Sequence, residues 1–274
     1  HMSEDPSGTA PQVKDSKGSY NLTSNGTMTD TDLVDDDWNK GIAFDGDNDY
    51  LSNSSLQLGT NFTVIAKMNF SSATHTSSRS ITHQGHFGTS GQQGVSILIS
   101  GTSSFVRCTY LRSVWRNVDS TNLISSGDNI IGVGFDSSGS NVHYNINGNA
   151  EDVAQPYAYN QTPSQPFHVA ARNYTDSQDL FSDGTYDELF IATSVLSDDF
   201  IQAMYENLNG SLITHTPPDE KIYYTIDSSK VDSELTDFPV GIEINAETGF
   251  VFGRSSTDWR NIKATVEGEE CYVE

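Results

Sequence analysis

The stretch Asn61-Phe-Thr-Val-Ile-Ala-Lys-Met-Asn-Phe70 decides the fold class of this chain. Its apolar residues occupy every second position: Phe62, Val64, Ala66, Met68 and Phe70. The residues between them are mostly polar. Because successive side chains of a β-strand point to opposite faces, this period of two predicts a strand with one buried face and one mostly polar face.

Short apolar runs separated by Gly, Asn, Asp and Ser continue on both sides of this strand. They predict an antiparallel all-β domain. Further strands are predicted at 41–44, 94–100, 104–112, 129–135, 142–146, 167–172 and 186–192. Turn signals separate several of them: Asp45-Gly46, Ser138-Gly139 and Asn147-Gly148.

One helix is predicted after these strands. Ser197 can cap its N-terminus, and Gly210 supplies a stop. The first turn carries Asp198 and Asp199, where negative charge is favourable. The apolar face at helical spacing consists of Phe200, Ile201, Met204, Tyr205 and Leu208. We expect this helix to pack on an edge of a β-sandwich.

The chain divides into four predicted segments. Residues 1–17 are a tag scar, His1-Met2, followed by a flexible tail, and residues 18–213 form the β domain. Residues 214–220 are a linker, since two prolines interrupt regular structure. Residues 221–274 hold a small β module that we expect to be incomplete. Its strands are predicted at 221–227, 240–245, 249–252, 262–266 and 271–273.

Composition excludes several classes of partner. The chain has 14 Lys and Arg against 37 Asp and Glu, a formal net charge of -23. Such a chain repels nucleic-acid phosphates and anionic lipid headgroups, and it has no run of 18 apolar residues to span a membrane. Its two cysteines, Cys108 and Cys271, are expected to be free thiols rather than a disulfide framework.

Three segments together resemble the laminin-G-like jelly roll of the concanavalin A-like lectin/glucanase superfamily. The first is Gly41-Ile-Ala-Phe-Asp-Gly-Asp-Asn-Asp-Tyr-Leu51, followed by Asn61-Phe-Thr. The second is Asn129-Ile-Ile-Gly-Val-Gly-Phe-Asp136 leading to Val142-His-Tyr-Asn-Ile-Asn-Gly148. The third is Gly184-Thr-Tyr-Asp-Glu-Leu-Phe-Ile-Ala-Thr-Ser-Val-Leu-Ser197. The resemblance implies a two-sheet jelly-roll sandwich, and it does not by itself imply a ligand.

The C-terminal part resembles the start of an uncharacterised β module that often lies beside such jelly rolls in large surface and phage-encoded proteins. The residues that carry this resemblance run from Ile226 to Val240. It implies a larger protein that is extracellular, on a cell surface or in a virion.

Catalysis is not predicted. The glucanases of the superfamily use two carboxylates spaced along one strand, and this pattern is absent from the sequence. Asp187 and Glu188 are adjacent, so on a regular strand they point to opposite faces. We therefore expect the chain not to be an enzyme.

Calcium is the cofactor that the resemblance implies. The family's closing strand contributes an Asp to a calcium site, and Asp187 matches that position. Calcium takes six to eight oxygen ligands, and Asp45, Asp47 and Asp49 could add oxygens at one turn. The alternative is that Asp45 only forms the turn and its neighbours are solvated.

A basic and aromatic stretch is the candidate ligand-binding site. It contains Tyr110, Arg112, Trp115 and Arg116, with Arg107 just before it. Exposed aromatic faces beside polar groups suit glycans. The alternative, which the residue pattern favours, is a strand pair with a buried tryptophan and arginines in surface salt bridges. His83-Gln-Gly-His86 is interpreted as a polar loop rather than as a metal-binding pair.

These observations predict a non-catalytic glycan-recognition or adhesion module. The alternative from another class is a purely structural module, a spacer or virion component without a small ligand. A weaker alternative is a polysaccharide hydrolase or lyase whose site the sequence does not reveal.

Overall fold

The computed structural model describes residues 2–35, 40–86, 94–111, 115–137, 141–155, 165–174 and 177–210, together with the backbone of 213–216, 223–226, 264–266 and 269–271. In chain order, the strands up to the helix are β1 (Thr23–Asn25), β2 (Leu33–Asp35), β3 (Lys40–Asp45), β4 (Tyr50–Asn53), β5 (Asn61–Phe70), β6 (Arg79–Gly85), β7 (Gly94–Ile99), β8 (Phe105–Leu111), β9 (Trp115–Leu123), β10 (Gly127–Asp136), β11 (Asn141–Ile146), β12 (Asn149–Ala154), β13 (Phe167–Val169), β14 (Arg172–Tyr174), β15 (Ser177–Asp179) and β16 (Asp183–Ala192). A 3-10 turn spans Asp30–Asp32, helix α1 spans Asp198–Leu208, and β17 (Ile213–Thr216), β18 (Tyr223–Ile226), β19 (Ala264–Val266) and β20 (Glu269–Cys271) follow.

Fourteen of the strands form two seven-stranded sheets. Sheet I has the order β1-β4-β13-β6-β7-β8-β9, and sheet II has the order β12-β11-β10-β5-β16-β3-β2. All of their paired neighbours are antiparallel. The prediction of an all-β antiparallel sandwich with one helix is therefore confirmed.

The core lies between the two sheets and includes two buried tyrosines whose hydroxyls are satisfied. The Tyr144 hydroxyl, from β11 of sheet II, donates to Val118 O at 2.6 Å and accepts from Cys108 N at 3.1 Å, both in sheet I. The Tyr186 hydroxyl, from β16, lies 3.2 Å from Ser80 O in sheet I. Because an unpaired buried hydroxyl is costly, these bonds help to hold the two sheets in one register.

Strand β5 spans the predicted residues, but both of its faces are buried. The predicted core face packs between the sheets, and the opposite face is buried from Thr63 to Lys67 as well. Helix α1 covers this second face: Ile201, Met204 and Leu208 pack with Ile65 in a separate apolar cluster. The helix therefore lies on the outer face of sheet II, which explains why the alternation of β5 is only partly polar.

Two glycines let α1 approach sheet II closely. A Cβ on Gly132, in β10, would lie 2.6 Å from Ile201 Cγ2. A Cβ on Gly148 would lie 2.5 Å from the Tyr205 ring, and Gly148 has a φ of +80°, which L-residues rarely adopt. Ser197 caps the helix as predicted, because its Oγ accepts from Phe200 N at 3.2 Å.

Seven of the strands before α1 were not predicted from the sequence: β1, β2, β4 and β15, which are only three or four residues long, and β6, β9 and β12, whose residues are mostly polar. Strand β6 includes the segment that was expected to be a polar loop, and it is buried along its whole length. Strands β9 and β12 lie at the sheet edges, where alternation with a buried face is weak. The predicted strand at 167–172 is divided between β13 and β14 at Ala170, whose φ is +66°.

The N-terminal segment predicted to be a tail contacts the sandwich. Val13 pairs with Leu22, and the side chains of Met2 and Val13 belong to the core. Met2 N also donates to Asp187 O at 2.8 Å. The lack of periodicity in this segment is thus compatible with burial of single apolar residues.

The C-terminal part is described only in pieces. Strand β17 pairs with β18, and β19 pairs with β20. Strand β17 ends at Thr216, directly before Pro217, and the strands predicted at 240–245 and 249–252 lie outside the described residues. Cys108 is a buried free thiol, and burial raises its pKa. No helix within the described parts of the chain is long and apolar enough to cross a membrane.

Gly132→Ala should destabilise the protein by about 1–3 kcal/mol, because the added methyl overlaps Ile201 and must displace α1. The matched control is Gly134→Ala on the same strand, where a Cβ would meet its nearest atom at 3.4 Å. Chemical denaturation should give a clearly larger loss for Gly132→Ala. Equal losses would show that the close contact does not limit helix packing.

Candidate functional site

The candidate site is a strip of side chains on the outer face of β8 and β9. In β8, Val106, Cys108 and Tyr110 are buried in the core, so the residues that alternate with them point outward. The register pairs Arg107 with Asp119 and Thr109 with Asn117, and it places Trp115 opposite Leu111. We call Arg107, Thr109, Trp115, Asn117 and Asp119 the outer strip.

The polar members of the outer strip are held in fixed orientations. The Arg107 guanidinium binds the Asp119 carboxylate through two hydrogen bonds, at 2.6 and 2.8 Å. The same guanidinium lies 5.0 Å from the centre of the Phe105 ring. Thr109 Oγ1 donates to Asn117 Oδ1 at 2.9 Å. The strip is therefore ordered without any ligand, which reduces the entropy lost when one binds.

Trp115 is the aromatic member of the strip, and its side chain is accessible. Trp115 is 39% exposed, whereas most aromatic residues of the two sheets are buried. Its strand, β9, lies at the edge of sheet I, and a residue of sheet II binds this edge. The Glu151 carboxylate of β12 accepts hydrogen bonds from Thr121 N and Asn122 N, both at 2.9 Å. This contact blocks part of the strand edge and fixes β9 in place.

The structure separates the residues predicted for ligand binding. Tyr110 is fully buried, and its ring packs 5.3 Å from that of Phe135. Arg116 lies opposite Tyr110 in the register and is half-buried, and Arg112 lies outside the described residues. Trp115 therefore lies on the same outer face as Arg107, whereas Tyr110 faces the core. The alternation of β8 was the signal that could have separated these two sets in advance.

The acidic turn predicted as a source of calcium ligands is tied up by internal hydrogen bonds. Asp45 Oδ1 accepts from the backbone N–H of Asp47 at 2.8 Å and of Asn48 at 3.2 Å. Asp49 is buried and accepts from Thr27 N at 2.8 Å. Burial raises the pKa of the Asp49 carboxyl, although the bond from Thr27 lowers it. Asp47 is exposed, as in the solvated alternative.

Asp187, the other predicted calcium ligand, faces a lysine. Its Oδ2 lies 2.8 Å from Lys67 Nζ, and the two side chains are only 2% and 5% exposed. An ammonium at this distance supplies the positive charge that a metal would supply and would repel a second cation. The calcium site that the resemblance implies at Asp187 does not fit these residues.

A β-bulge corrects one inference from the sequence. The register between β16 and β5 shifts between Tyr186 and Glu188, so that Glu188 lies opposite Lys67. Asp187 and Glu188 therefore both face Lys67, although adjacent residues of a regular strand would point to opposite faces. Burial raises the pKa of Glu188 above its usual value.

Two histidines lie on the outer side of sheet I. His83 and His168 are paired across β6 and β13, with ring centroids 6.2 Å apart. Burial lowers the pKa of His83 to about 3, helped by the charges of His168 and Arg172, and it lowers the pKa of His168 to about 4. His83 Nε2 lies 3.0 Å from Gly85 O. Both rings are neutral structural elements at neutral pH.

A cleft of about 300 Å³ lies on the opposite sheet, beside the C-terminal half of α1. Lys67, Asp128, Asn147, Tyr205 and Asn209 line it. Its aromatic residue, Tyr205, is half-buried and is packed against Gly148, so it offers less accessible ring surface than Trp115 does. The outer strip is therefore the stronger candidate for binding a sugar.

The fold is similar to that of several proteins of known structure. No family model matches the sequence, and no curated protein matches it. The structure is similar to domain 4 of AbnA, a GH43 extracellular arabinanase from Geobacillus stearothermophilus, solved in complex with arabinotriose. The TM-score is 0.53 at 16% identity, over 68% of this chain and 88% of that domain.

Two toxin domains are similar at the same level. The botulinum neurotoxin type G receptor binding domain has a TM-score of 0.51 at 13% identity, over 82% of this chain and 65% of that one. The binding domain of botulinum neurotoxin serotype C1 has a TM-score of 0.51 at 10% identity, over 79% and 60%. The chain thus spans less than two thirds of either toxin domain. At these identities the likeness establishes only the fold, an all-β jelly-roll sandwich.

Lys67→Met should destabilise the protein by about 3–5 kcal/mol, because Asp187 is left as a buried charge without its ammonium partner. Lys67→Met/Asp187→Asn should recover most of this loss. Lys40→Met is the matched control, since Lys40 forms an exposed pair with Asp35 and should cost less than about 1 kcal/mol. Chemical denaturation measures all three. A wild-type melting temperature that falls on chelation of calcium would contradict the assignment of Lys67 as the neutralising cation.

Stability should fall as the pH is lowered from about 7 to 5. Both histidines are neutral when folded, so only the unfolded chain binds their protons as the pH drops below the usual histidine pKa of about 6.5. Each contributes a slope of at most about 1.4 kcal/mol per pH unit. His168→Phe keeps an aromatic ring and should reduce this slope by about half. An unchanged slope in His168→Phe would contradict this account.

Proposed function

We propose that this chain is a non-catalytic glycan-recognition module with a laminin-G-like fold, part of a larger extracellular, cell-surface or virion protein. The observation that carries the proposal is the outer strip. It combines Trp115, which is 39% exposed, with ordered hydrogen-bonding groups on the same face of one strand pair.

The chemistry of the strip matches that of a sugar. A pyranose or furanose ring has an apolar C–H face that packs on an aromatic ring, and its hydroxyls need both donors and acceptors. Asn117 supplies an exposed neutral amide, which the buried Thr109 holds by a hydrogen bond, and Asp119 supplies a charged acceptor held by Arg107. The residues alternate along β9, so that Trp115, Asn117 and Asp119 lie in a row about 7 Å apart. A row of this kind suits a chain of sugar units.

Electrostatics favour a neutral glycan. The positive charge of Arg107 is matched by Asp119 at hydrogen-bond distance, so the strip has little net charge from this pair. The chain as a whole carries -23, which opposes binding of sulfated or uronic-acid polymers. A neutral polysaccharide or oligosaccharide is therefore the expected ligand class.

A binding role is supported over hydrolysis by the state of the acid in the strip. Glycosidases use a pair of carboxyl groups at defined separations, one of them protonated to act as an acid. Asp119 is the one carboxyl group of the outer strip, and both of its oxygens are bound by the Arg107 guanidinium. The similar arabinanase domain, solved with arabinotriose, adds support that a sandwich of this shape can hold an oligosaccharide.

Trp115→Ala should weaken glycan binding by at least about tenfold, because the ring supplies the apolar contact. A glycan array, run with and without calcium, selects the ligand, and calorimetry then measures the affinities. Tyr20→Ala is the matched control, since Tyr20 is 42% exposed and should be dispensable.

The outcomes separate the alternatives. Failure of the wild-type chain to bind any glycan, with or without calcium, would favour a purely structural module. Binding that needs calcium would return Asp45 and Asp47 to consideration as ligands. Release of shorter sugars from a bound polysaccharide would make the chain a hydrolase or lyase and would overturn the proposal.

A further inference from the structure

Three side chains that can each bind a metal ion, one imidazole and two carboxylates, meet at the edge of sheet II, away from the outer strip. His143 in β11 and Asp152 in β12 are direct cross-strand partners in the register. Asp198 is the first residue of α1, which Ser197 caps. Three separate elements thus bring one imidazole and two carboxylates together.

The donor atoms are close enough to share an ion. His143 Nδ1 lies 2.6 Å from Asp152 Oδ1 and 3.5 Å from Asp198 Oδ1. All three donor atoms lie within 4.8 Å of one another, and within the described ranges this is the one group of three such side chains that does so. The side chains are 26%, 48% and 59% exposed, so an ion can reach them from solvent.

We propose that His143, Asp152 and Asp198 form a binding site for a divalent transition-metal ion of the Zn²⁺ type. One imidazole nitrogen with two carboxylate oxygens is a donor set that suits zinc, cobalt or nickel, whereas calcium and magnesium prefer oxygen alone. Metal bonds of about 2.1 Å in tetrahedral geometry place donors about 3.4 Å apart. The spacing between His143 and Asp198, 3.5 Å, already matches this.

Metal binding requires one small rearrangement. The proton between His143 Nδ1 and Asp152 must leave, and Asp152 Oδ1 must withdraw by about 1 Å from its present 2.6 Å. Asp152 is on the surface, so rotation of its side chain costs little. Water would complete the coordination, since three protein ligands leave one tetrahedral position open.

The surrounding fold holds the donors in place. The β11–β12 ladder fixes His143 opposite Asp152, and the apolar contacts of Ile201 and Met204 hold α1 against sheet II. The helix dipole opposes a cation at this end. The full charges of Asp198 and Asp152, in a chain of -23, outweigh it. A bound ion would tie α1 to the edge hairpin and would stabilise the folded state.

Calorimetric titration of the chain with ZnCl₂ tests the proposal. We expect one ion per chain, a rise of several degrees in melting temperature, and with Co²⁺ a visible absorption band from an imidazole and carboxylate site. His143→Ala and Asp198→Asn should each weaken binding by at least about tenfold. The matched control is His75→Ala, because His75 also lies 3.5 Å from a carboxylate, that of Asp183, but the described residues place no third donor in the same group.

Circular dichroism without metal establishes that each variant is folded, and His143→Gln serves as a second variant if His143→Ala is not. Equal zinc affinity in wild type and in a folded His143 variant would overturn the proposal, since the ion would then bind elsewhere. Absence of any zinc binding at millimolar metal would overturn it as well. No glycan enters this experiment, so its result is independent of the proposed function.

Discussion

The buried ion pair between Lys67 and Asp187 is the constraint on which the arrangement of sheet II depends. Lys67 lies in the middle of β5, and its ammonium is almost wholly removed from water. A charge there is tolerable only if an opposite charge reaches it, because desolvation costs several kcal/mol per ion. The bulge in β16 brings Asp187 to this ammonium and places Glu188 opposite Lys67 in the register, and α1 covers the rest of this face.

The same strand pair contributes to the core and to the candidate site. In β8, Tyr110 and Cys108 face the other sheet, while Arg107 and Thr109 face outward beside Trp115 and Asn117. The outer strip is thus built on a strand whose alternate residues are packed in the core. Glu151 from the second sheet holds the far end of β9, so the strip belongs to an anchored edge rather than to a loop.

The two proposed sites use different physics and lie on different sheets. The outer strip would bind a sugar by apolar contact and hydrogen bonds, because its one charged pair, Arg107 with Asp119, is internally matched. The triad of His143, Asp152 and Asp198 concentrates negative charge beside one imidazole. Sugar recognition would then proceed on sheet I, while a metal would act on the stability of sheet II and of α1. At Asp187, also in sheet II, the neutralising charge is that of Lys67 rather than that of a metal.

Local patterns in the sequence determined the fold class, the ends of β5, and the position and N-cap of α1, because alternation, helical spacing and capping each involve only nearby residues. They did not reveal β6, β9 or β12, whose polar residues carry no alternation strong enough to mark a strand. Only the tertiary structure decided that Trp115 lies on the same face as Arg107 rather than Tyr110. The same holds for the close contacts of Lys67 with Asp187 and of His143 with Asp198. Each of these relations depends on strand order, on register or on a bulge, because distant segments of the chain must pack together to produce it.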